Sequence, residues 1–389
     1  MRRNRVLGAC ALVVFIGCVE HASAQTQTIR IVTYNTQGDV SSPTPTQVLP
    51  QVATTIEGIG QEKYVGDGVL QLPDIIGLEE TTSNSTTVAP LAADLNSYYG
   101  SSIYSYSSVQ GTQSGGNTDG NGPNGLIYNQ QTMNLIASVG VGTPGGSTNG
   151  EYRQVMRYEF QPLVNTGTSN GIFYVYVCHA KSLSSGSEST DQTYQAEEAT
   201  IIRNDEATLP STASVIYMGD WNVNASTDPS MVEMSSQLIQ GQAFDPLNPT
   251  NQSEDWAENS TYKGLMTESD TDLRYRDDLQ LVTSNVLNDS GTLNYIANSE
   301  HAFGNNGSTA EGGSIDSGSN TALNDIVGNG SLTPTDVYNA MNPTTGSDHL
   351  PVVSDYTIAV PEPSLAVGAI LLCGLCLGRR RRAMAADPN

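Results

Sequence analysis

Cysteine is scarce in this chain, and its distribution excludes a disulfide-bonded fold. Four of the five cysteines lie in the two end segments of the 389-residue sequence, at Cys10, Cys18, Cys373 and Cys376. The long middle part keeps only Cys178, so it can form no internal disulfide. Its stability must come from a hydrophobic core. Cys178 lies in an apolar run, so we predict that it is buried and inert.

Basic residues are also few. The chain has 16 Lys and Arg against 40 Asp and Glu, a formal net charge of −24. Seven of the basic residues lie in the end segments, so the rest of the chain has nine basic and 37 acidic residues. Such a surface repels polyanions and gives no basic footprint for tight nucleic-acid binding, whereas divalent cations could offset the repulsion locally.

Residues 1–24 have the composition of a secretory signal peptide. Three arginines near the start precede an apolar run from Val6 to Val19. Ala22-Ser23-Ala24 then matches a small-x-small cleavage pattern. We therefore predict a secreted protein whose mature chain begins near Gln25.

Residues 359–389 form the second end segment. Val360-Pro361-Glu362-Pro363 precedes an apolar stretch from Ser364 to Gly378, and Arg379 to Arg382 follow. The stretch is short for a membrane span, which needs about 20 residues. The order resembles the Pro-Glu-Pro C-terminal sorting signal of Gram-negative bacteria. The resemblance implies removal or exchange of the tail by a membrane sorting protease, and delivery to the outer surface or an extracellular matrix. A tail anchor held by positive charges is the alternative.

One stretch of the middle part combines a buried strand with polar residues. Four apolar residues, Val215 to Met218, are followed by Gly219, Asp220, Trp221 and Asn222. If the chain stays extended, the side chains of Asp220 and Asn222 point to one face. A carboxylate beside an amide suits a hard cation or an activated water.

Similar polar residues flank other predicted strands. They are Asn35, Glu80, His179 and the pair Asp348 and His349 at strand ends, with Asp278 near the start of another strand. A repeated pattern of this kind is hard to explain by chance capping, so we predict that these residues share one site.

The remaining helices, strands and loops are predicted from the periodicity of apolar residues and from composition. Gly125–Asn129 and Met133–Val141 read as a hairpin, and residues 285–337, polar and without a clear period, as an insertion or long surface loops. Many strands with few helices imply one α/β or α+β sandwich domain. The predicted helices span 47–59, 88–95, 192–207 and 231–238, with Pro50 in a first turn and Glu198 interrupting an apolar face.

From Ile29 to Tyr356 these motifs, taken in order, resemble the endonuclease/exonuclease/phosphatase superfamily, the deoxyribonuclease I-like fold. Gly219-Asp220-Trp221-Asn222 is similar to its Gly-Asp-Phe-Asn motif, and Ser347-Asp348-His349 matches its final Ser-Asp-His. The other matches are Asn35 to the asparagine that closes the first strand, Glu80 to the metal-binding glutamate, Arg153 to a phosphate-contacting arginine, His179 to the histidine of a Thr-His or Leu-His motif, and Asp278 to the aspartate of Arg-Ile-Asp-Tyr.

Three positions differ from the family pattern. Glu79 stands where the family commonly has glutamine, and a charged Asp277 precedes Asp278 where an apolar residue is usual. The glutamate that orients the first histidine in deoxyribonuclease I has no evident match near Gly122 to Asn124. A different partner for His179, or weaker activity, is therefore expected.

The resemblance implies an α+β fold over residues 25–358: a four-layer αββα sandwich of two mixed β-sheets flanked by helices. It implies a metal site for Mg²⁺, with Mn²⁺ or Ca²⁺ as alternatives, and a catalytic site at the same end of the sandwich. The expected metal ligands are Asn35, Glu80 and Asp348. Asp220 and Asn222 would hold the attacking water, His349 paired with Asp278 would stabilise the phosphoryl group, His179 would be a second phosphate contact or proton donor, and Arg153 would bind substrate.

The function predicted from the resemblance is a secreted, monomeric, divalent-metal-dependent phosphodiesterase, first of all a nuclease. A sphingomyelinase-like or small-molecule phosphoesterase is the alternative within the same chemistry, and the net charge slightly favours it. A non-catalytic matrix protein on the same fold is an alternative of another class. We expect the polar site to be solvent-accessible.

Overall fold

The computed structural model describes residues 26–359, except 38–44, 64–67, 113–121, 143–152, 166–170, 185, 270–272, 309–314, 316–319, 325 and 327–331. The predicted signal peptide, and all but the first residue of the predicted sorting segment, lie outside the described residues. Thr26–Pro361 form one compact unit. Within the described part, no helix is both long and apolar enough to cross a bilayer.

The described residues form two mixed sheets. In chain order, the strands are β1 (Thr26–Asn35), β2 (Pro73–Glu79), β3 (Tyr104–Tyr106), β4 (Gly125–Asn129), β5 (Met133–Val141), β6 (Val155–Pro162), β7 (Phe173–His179), β8 (Ser214–Asp220), β9 (Ala243–Phe244), β10 (Asp278–Thr283), β11 (Leu293–Tyr295), β12 (His301–Ala302) and β13 (Val352–Ala359). One sheet has the order β11-β13-β1-β2-β4-β3, with β12 also on β13, and the other has the order β5-β6-β7-β8-β10-β9. Only β1–β2 and β7–β8 are parallel pairs among these ladders.

The described helices are α1 (Pro45–Ile59), α2 (Ala89–Tyr99), α3 (Glu188–Glu206), α4 (Pro229–Ser235), α5 (Ser284–Leu287) and α6 (Pro334–Ala340). All except the short α5 cover the outer faces of the two sheets. Apolar residues of α1, α2 and α6 share a core cluster with the seven-stranded sheet, and those of α3 and α4 share one with the six-stranded sheet. A third cluster lies between the sheets, with Ile31 and Ile75 against Val177 and Met218. The predicted four-layer αββα sandwich is therefore confirmed.

The central strands are buried on both faces because each sheet has a layer on either side. Every residue of β2, β8 and β10 is buried. This explains why β2 and β8 contain apolar runs rather than alternating patterns. Cys178 is buried and free, as predicted.

Three predictions about elements were wrong. β4 and β5 do not form a hairpin, because β4 pairs with β2 and β3 in one sheet and β5 pairs with β6 in the other. The first helix begins at Pro45, so Pro50 lies inside it rather than in its first turn. Residues 285–337 are not merely surface loops, because Leu293, Phe303 and Leu323 are buried in the core.

Candidate active site

Strand register brings the predicted site residues to one end of the sandwich. In the parallel pair β1–β2, Asn35 lies opposite Glu79, and in β7–β8, His179 lies opposite Asp220. β10 runs antiparallel to β8, and its first residue, Asp278, also lies opposite Asp220. Four carboxyl-terminal strand ends and one amino-terminal end therefore converge around Asp220.

His349 is fixed by a carboxylate. Its Nδ1 lies 2.8 Å from Asp278 Oδ2, and its Nε2 lies 3.9 Å from both Asp220 Oδ2 and Asp348 Oδ1. Burial by itself lowers the pKa of His349, but Asp278, Asp220 and Asp348 outweigh it and raise that pKa well above its usual value. The imidazole is therefore charged at neutral pH. The structure places Asp278, and not Asp277, against this histidine.

His179, unlike His349, has an uncharged ring. Its Nε2 lies 3.4 Å from Asp220 Oδ2 and 3.6 Å from Glu80 Oε1. Burial, followed by the positive charges of Arg153 and His349, lowers the pKa of His179 well below its usual value, so the ring is neutral. Its Nδ1 is buried and has no hydrogen-bond partner among the described residues. The orienting partner that we expected for this histidine is thus not found there.

Asp220 joins the two histidines to neighbouring loops. Asn35 Nδ2 donates to Asp220 Oδ2 at 3.0 Å, and the backbone N–H of Asn222 donates to Asp220 Oδ1 at 3.0 Å. Burial, followed by repulsion from Asp278, raises the pKa of Asp220 to about 6, although His349 and Asn35 act against this shift.

The backbone does not stay extended through Asn222. β8 ends at Asp220, and Asn222 has a φ of 51°, in the left-handed region that asparagine tolerates better than most residues. The prediction that Asp220 and Asn222 follow the alternation of one strand was therefore wrong. The Asn222 side chain instead donates through Nδ2 to the carbonyl of Ala180 at 3.1 Å. This bond ties the loop after β8 to the end of β7.

The expected metal ligands belong to the same cluster, with Glu80 near His179, Asp348 near His349 and Asn35 bonded to Asp220. Glu80 follows β2 with a φ of 51°, and burial, followed by repulsion from Asp348, raises its pKa to about 7 although His349 lowers it. Gln37, which sequence reasoning missed, donates through Nε2 to Asp348 Oδ2 at 2.7 Å, and its backbone N–H donates to Asn35 Oδ1 at 3.0 Å. Across the described ranges, no set of three or more His, Cys, Asp or Glu side chains forms a metal cluster.

The residues nevertheless fit a hard cation of the Mg²⁺ type. Such an ion is commonly held by one or two carboxylates together with waters and substrate oxygens, rather than by a protein cage. The carboxylates of the buried Glu80 and the partly exposed Asp348 repel each other. Asn35 adds an amide oxygen of the same hard type, so an ion there would relieve the repulsion.

Glu79 has a structural role. It is fully buried, and its Oε1 accepts from Thr33 Oγ1 at 2.9 Å, while its Oε2 has no hydrogen-bond partner within the described part. Burial, followed by repulsion from Asp278, raises the pKa of Glu79 well above its usual value. A protonated glutamic acid has nearly the shape of glutamine and, like it, donates a hydrogen bond. This similarity explains how glutamate occupies a position where glutamine is expected.

Arg153 lies at the edge of the cluster. Its Nη1 donates to the carbonyl of Ala180 at 2.7 Å, the same carbonyl that Asn222 contacts. Burial lowers the pKa of Arg153, while Glu198 and Glu80 act in the opposite direction. The guanidinium therefore contacts the loop after β7 and is acted on by the charges of Glu198 and Glu80.

Helix α3 supplies positioning residues that sequence reasoning missed. Gln195 Nε2 donates to the carbonyls of Lys181 at 2.6 Å and Asn222 at 2.7 Å, and Glu198 Oε2 accepts from the N–H of Lys181 at 3.2 Å. Both side chains are buried. Glu198 therefore does not interrupt an apolar face, because the buried face of α3 is largely polar and holds the loops after β7 and β8.

The expectation of a solvent-accessible site was wrong for most of its residues. His349 is 8% exposed, His179 2%, and Asp220 and Asp278 1% each. Backbone hydrogen bonds join Thr267 and Ser269 to the residues on either side of His349, since the N–H of Ser269 donates to the carbonyl of Asp348 and that of Leu350 donates to the carbonyl of Thr267.

No protein-family model and no curated protein sequence matches the chain. Solved structures are similar to it. The catalytic domain of human Nocturnin with a bound sulfate anion has a TM-score of 0.50 and 15% identity, over 86% of this chain and 97% of that one. Endonuclease/exonuclease/phosphatase proteins from Bacteroides thetaiotaomicron (14% identity, TM-score 0.48, 86% and 99% covered) and Bacteroides vulgatus (15%, 0.49, 85% and 99%) are also similar. At such identity the similarity to Nocturnin shows a shared fold, and the chemistry must be argued from the site.

Proposed function

We propose that this protein is a divalent-metal-dependent phosphodiesterase. The observation that carries the proposal is the arrangement around Asp220: His349 held on Asp278 at 2.8 Å to one side, and His179 at 3.4 Å to the other. Buried donors and a buried carboxylate at fixed positions are what hydrolysis of a phosphodiester requires, because charge develops on phosphoryl oxygens while water loses a proton.

Each residue has a distinct part in this reaction. Water adds to phosphorus and its proton passes to Asp220, while the ester P–O bond breaks and the leaving oxygen takes a proton from solvent water to depart as an alcohol. Asp220 then returns its proton to solvent. His349 donates from Nε2 to a phosphoryl oxygen, and Asp278 holds the ring and its charge. His179 and Arg153 contact further phosphoryl oxygens, while the side-chain oxygen of Asn222 orients the water.

Glu80, Asp348 and Asn35 would hold the metal ion. When bound, the ion would supply positive charge that polarises the phosphoryl group and lowers the pKa of coordinated water. Gln37 orients Asp348 and Asn35 through its hydrogen bonds.

Two substrate classes remain candidates for the site. Nucleic acid is the class predicted from the sequence, and a sphingomyelinase-like headgroup or small-molecule diester is the alternative. A specific observation favours the alternative: a cavity beside Asn222 includes Glu188, Glu268 and Asp277, and no Lys or Arg is among its described lining residues. Assays of the purified protein on DNA, RNA, sphingomyelin and bis(4-nitrophenyl) phosphate, with and without EDTA, test both. Inactivity on all four substrates with added Mg²⁺ would favour the matrix-protein alternative.

We also propose that the protein is secreted and sorted to the outer surface or extracellular matrix of a Gram-negative bacterium. The proposal rests on the composition of residues 1–24 and 359–389. A membrane sorting protease would then be a partner of the tail, with the mature chain acting as a monomer.

A further inference from the structure

Gln280 is a fully buried polar residue in the layer where the two sheets face each other. It lies on β10, two residues after Asp278, so the side chains of both residues point to the same face of that strand. Val282, the next residue on this face, belongs to the apolar cluster between the sheets. A buried amide costs free energy unless its hydrogen bonds are made, so the partners of Gln280 decide whether it can occupy this layer.

Three hydrogen bonds of the Gln280 side chain cross from the six-stranded sheet to the seven-stranded sheet. Its Nε2 donates to the carbonyl of Ile31 on β1 at 3.0 Å and to that of Val352 on β13 at 3.0 Å. Its Oε1 accepts from the hydroxyl of Tyr356, also on β13, at 3.0 Å. Hydrogen bonds have preferred distances and angles, whereas the apolar contacts between the sheets are non-directional. Gln280 therefore fixes the position of β10 relative to β1 and β13.

The three strands that meet at Gln280 carry residues of the candidate active site. β10 begins with Asp278, which lies about 7 Å from Gln280 along the strand. β1 ends with Asn35, and His349 precedes the first residue of β13 by three positions. The bond between Asp278 and His349 thus connects a strand of one sheet to the segment that enters the other sheet. Its geometry depends on how the two sheets are placed against each other behind the site.

The first half of β10 has few neighbours in its own sheet. Among the described ladders, Asp278–Leu281 pair with β8, whereas β9 pairs only with Val282 and Thr283. The N–H groups of Asp277 and Asp278 also donate to Thr267 Oγ1, each at 3.1 Å. Because a single strand pairs with this part of β10, the bonds to the other sheet have a larger share in setting its position.

We infer that Gln280 is a positioning residue, which places Asp278 where it can bind and orient His349. The inference rests on the proposed phosphodiesterase function, since Gln280 contacts no substrate and acts only through this pair. A fully bonded buried amide is suited to such a role, because leaving any of its groups unpaired disfavours other arrangements of the two sheets.

Gln280→Met tests the inference, because methionine has nearly the same length and makes none of the three bonds. With bis(4-nitrophenyl) phosphate and Mg²⁺, kcat should fall by about tenfold and KM should change by less than about twofold, since a misplacement of about 1 Å can reduce the rate by about 100-fold. NMR gives a second measurement. The Nδ1 proton of His349, identified by its absence in His349→Ala, should shift or broaden in Gln280→Met.

A double variant separates positioning from stability. Gln280→Met takes from the buried hydroxyl of Tyr356 its bond to Gln280, which lowers stability. Gln280→Met/Tyr356→Phe replaces both partners by apolar groups, a change that can be nearly neutral for stability. This variant should unfold close to the wild-type temperature and still show the lower kcat and the altered His349 signal. It also serves as the test if Gln280→Met fails to fold. Wild-type kcat with an unchanged signal in the double variant would overturn the inference.

Ser214→Ala is the matched control, because it removes bonds between the sheets at the opposite end of the sandwich. Ser214 begins β8, the strand that ends at Asp220, and it is buried. Its Oγ accepts from the N–H groups of Thr292 at 3.0 Å and Leu293 at 3.4 Å, and Leu293 belongs to β11 of the other sheet. Ser214→Ala should unfold at a lower temperature and keep kcat and the His349 signal. An equal fall in kcat would show that activity follows sheet association in general, which would also overturn the inference.

The NMR measurement distinguishes failure of this inference from failure of the proposed function. A wild type that hydrolyses no phosphodiester with added metal would contradict the phosphodiesterase, and the His349 signal would still show whether Gln280 holds the pair with Asp278. An active wild type matched by a fully active double variant with an unchanged signal would contradict the role of Gln280 alone.

Discussion

The Nδ1 atom of His349 lies 2.8 Å from Asp278 Oδ2, and both residues are more than nine-tenths buried. This pair connects the first residue of β10 to the segment that leads into β13. It holds the imidazole with Nε2 towards Asp220 and keeps the ring charged, since its pKa is raised by Asp278 against the effect of burial. Catalysis and stability are therefore coupled at this histidine.

The first prediction follows from that coupling. His349→Ala should reduce turnover by about 10²–10³-fold, the typical effect of losing one preorganised donor. It should also lower the free energy of unfolding by about 1–3 kcal/mol, because Asp278 is left buried without its partner. Steady-state kinetics and thermal unfolding measure the two effects. His301→Gln, on β12, is the control: it should reduce stability and leave turnover unchanged. A fully active His349→Ala would contradict the role of this histidine.

A second prediction concerns the pH dependence of stability at His301. Its Nε2 lies 2.9 Å from Glu62 Oε1, and Arg30 lies 3.7 Å from the other oxygen of that carboxylate. Burial alone lowers the pKa of His301, but Glu62 outweighs it and raises the pKa to about 9. The pKa of His301 is higher in the folded protein than in the unfolded chain, where it is about 6.5. The ion pair with Glu62 therefore stabilises the fold fully below pH 6.5, and this stabilisation is lost as pH rises through 9.

The ion pair between His301 and Glu62 also weakens at acidic pH. His301, followed by Arg30, lowers the pKa of Glu62 against the effect of burial, so the contribution of Glu62 is present above its unfolded value and lost as pH falls. The stability gap between wild type and His301→Gln should thus be widest near pH 6, at about 1–2 kcal/mol given partial exposure, and should narrow by pH 10. Denaturant unfolding at several pH values measures the gap. A gap that stays constant from pH 6 to pH 10 would contradict the assignment.

The third prediction concerns the metal. Glu80→Gln keeps the shape of the side chain and removes one anionic ligand, so the Mg²⁺ concentration for half-maximal activity should rise by about tenfold or more. Titration of activity with Mg²⁺ measures this, and Asp94→Asn is the matched control that removes a remote carboxylate. An unchanged Mg²⁺ dependence in Glu80→Gln would argue against its role as a ligand.

A fourth prediction concerns processing. Protein isolated from the native host should begin near Gln25 and lack Arg379 to Arg382, because the sequence predicts cleavage at both ends. Mass spectrometry of the intact protein measures both ends at once. A tail that is still present would favour the membrane-anchor alternative.

The sequence predicted which polar residues lie close together better than it predicted the pairing of the strands. Asn35, His179 and Asp220 could be grouped because each ends an apolar run, and parallel neighbours bring such ends to one edge of a sheet. The separation of β4 and β5 into different sheets could not be predicted, because the short link between them is equally compatible with a hairpin. The partners of a strand are chosen by residues distant in sequence.

Gln37 and Gln195 show a second limit of the sequence. Both fix site loops through side-chain bonds to polar atoms far along the chain, and neither belongs to an apolar strand end. The available signal for Gln195 was its place on the same helical face as Glu198, three residues apart. The sequence predicts an apolar face interrupted by Glu198, whereas the buried face of α3 is largely polar. A buried polar face is recognisable only once the carbonyls and amides that it satisfies are known.

The last prediction tests Gln195 as a positioning residue. Gln195→Leu keeps the approximate volume and removes both donations, to the carbonyls of Lys181 and Asn222. Two partly buried carbonyls then lose a partner, and the loop that carries Asn222 keeps its bond to Ala180 but is no longer tied to α3. A misplacement of about 1 Å at a reacting group can reduce turnover by about 100-fold.

The expected result is therefore a fall in kcat of up to about 100-fold with a smaller change in KM, since Gln195 touches no substrate in this arrangement. Gln242→Leu is the matched control, because Gln242 donates to the carbonyl of Ser235 away from the site. For each hydrogen bond removed, Gln242→Leu should lower the free energy of unfolding by about as much as Gln195→Leu does, and it should leave kcat unchanged. Gln195→Asn cannot reach both carbonyls and should not restore activity. Equal kcat values in Gln195→Leu and the wild type, in a folded variant, would show that the loop after β8 holds its position without this helix.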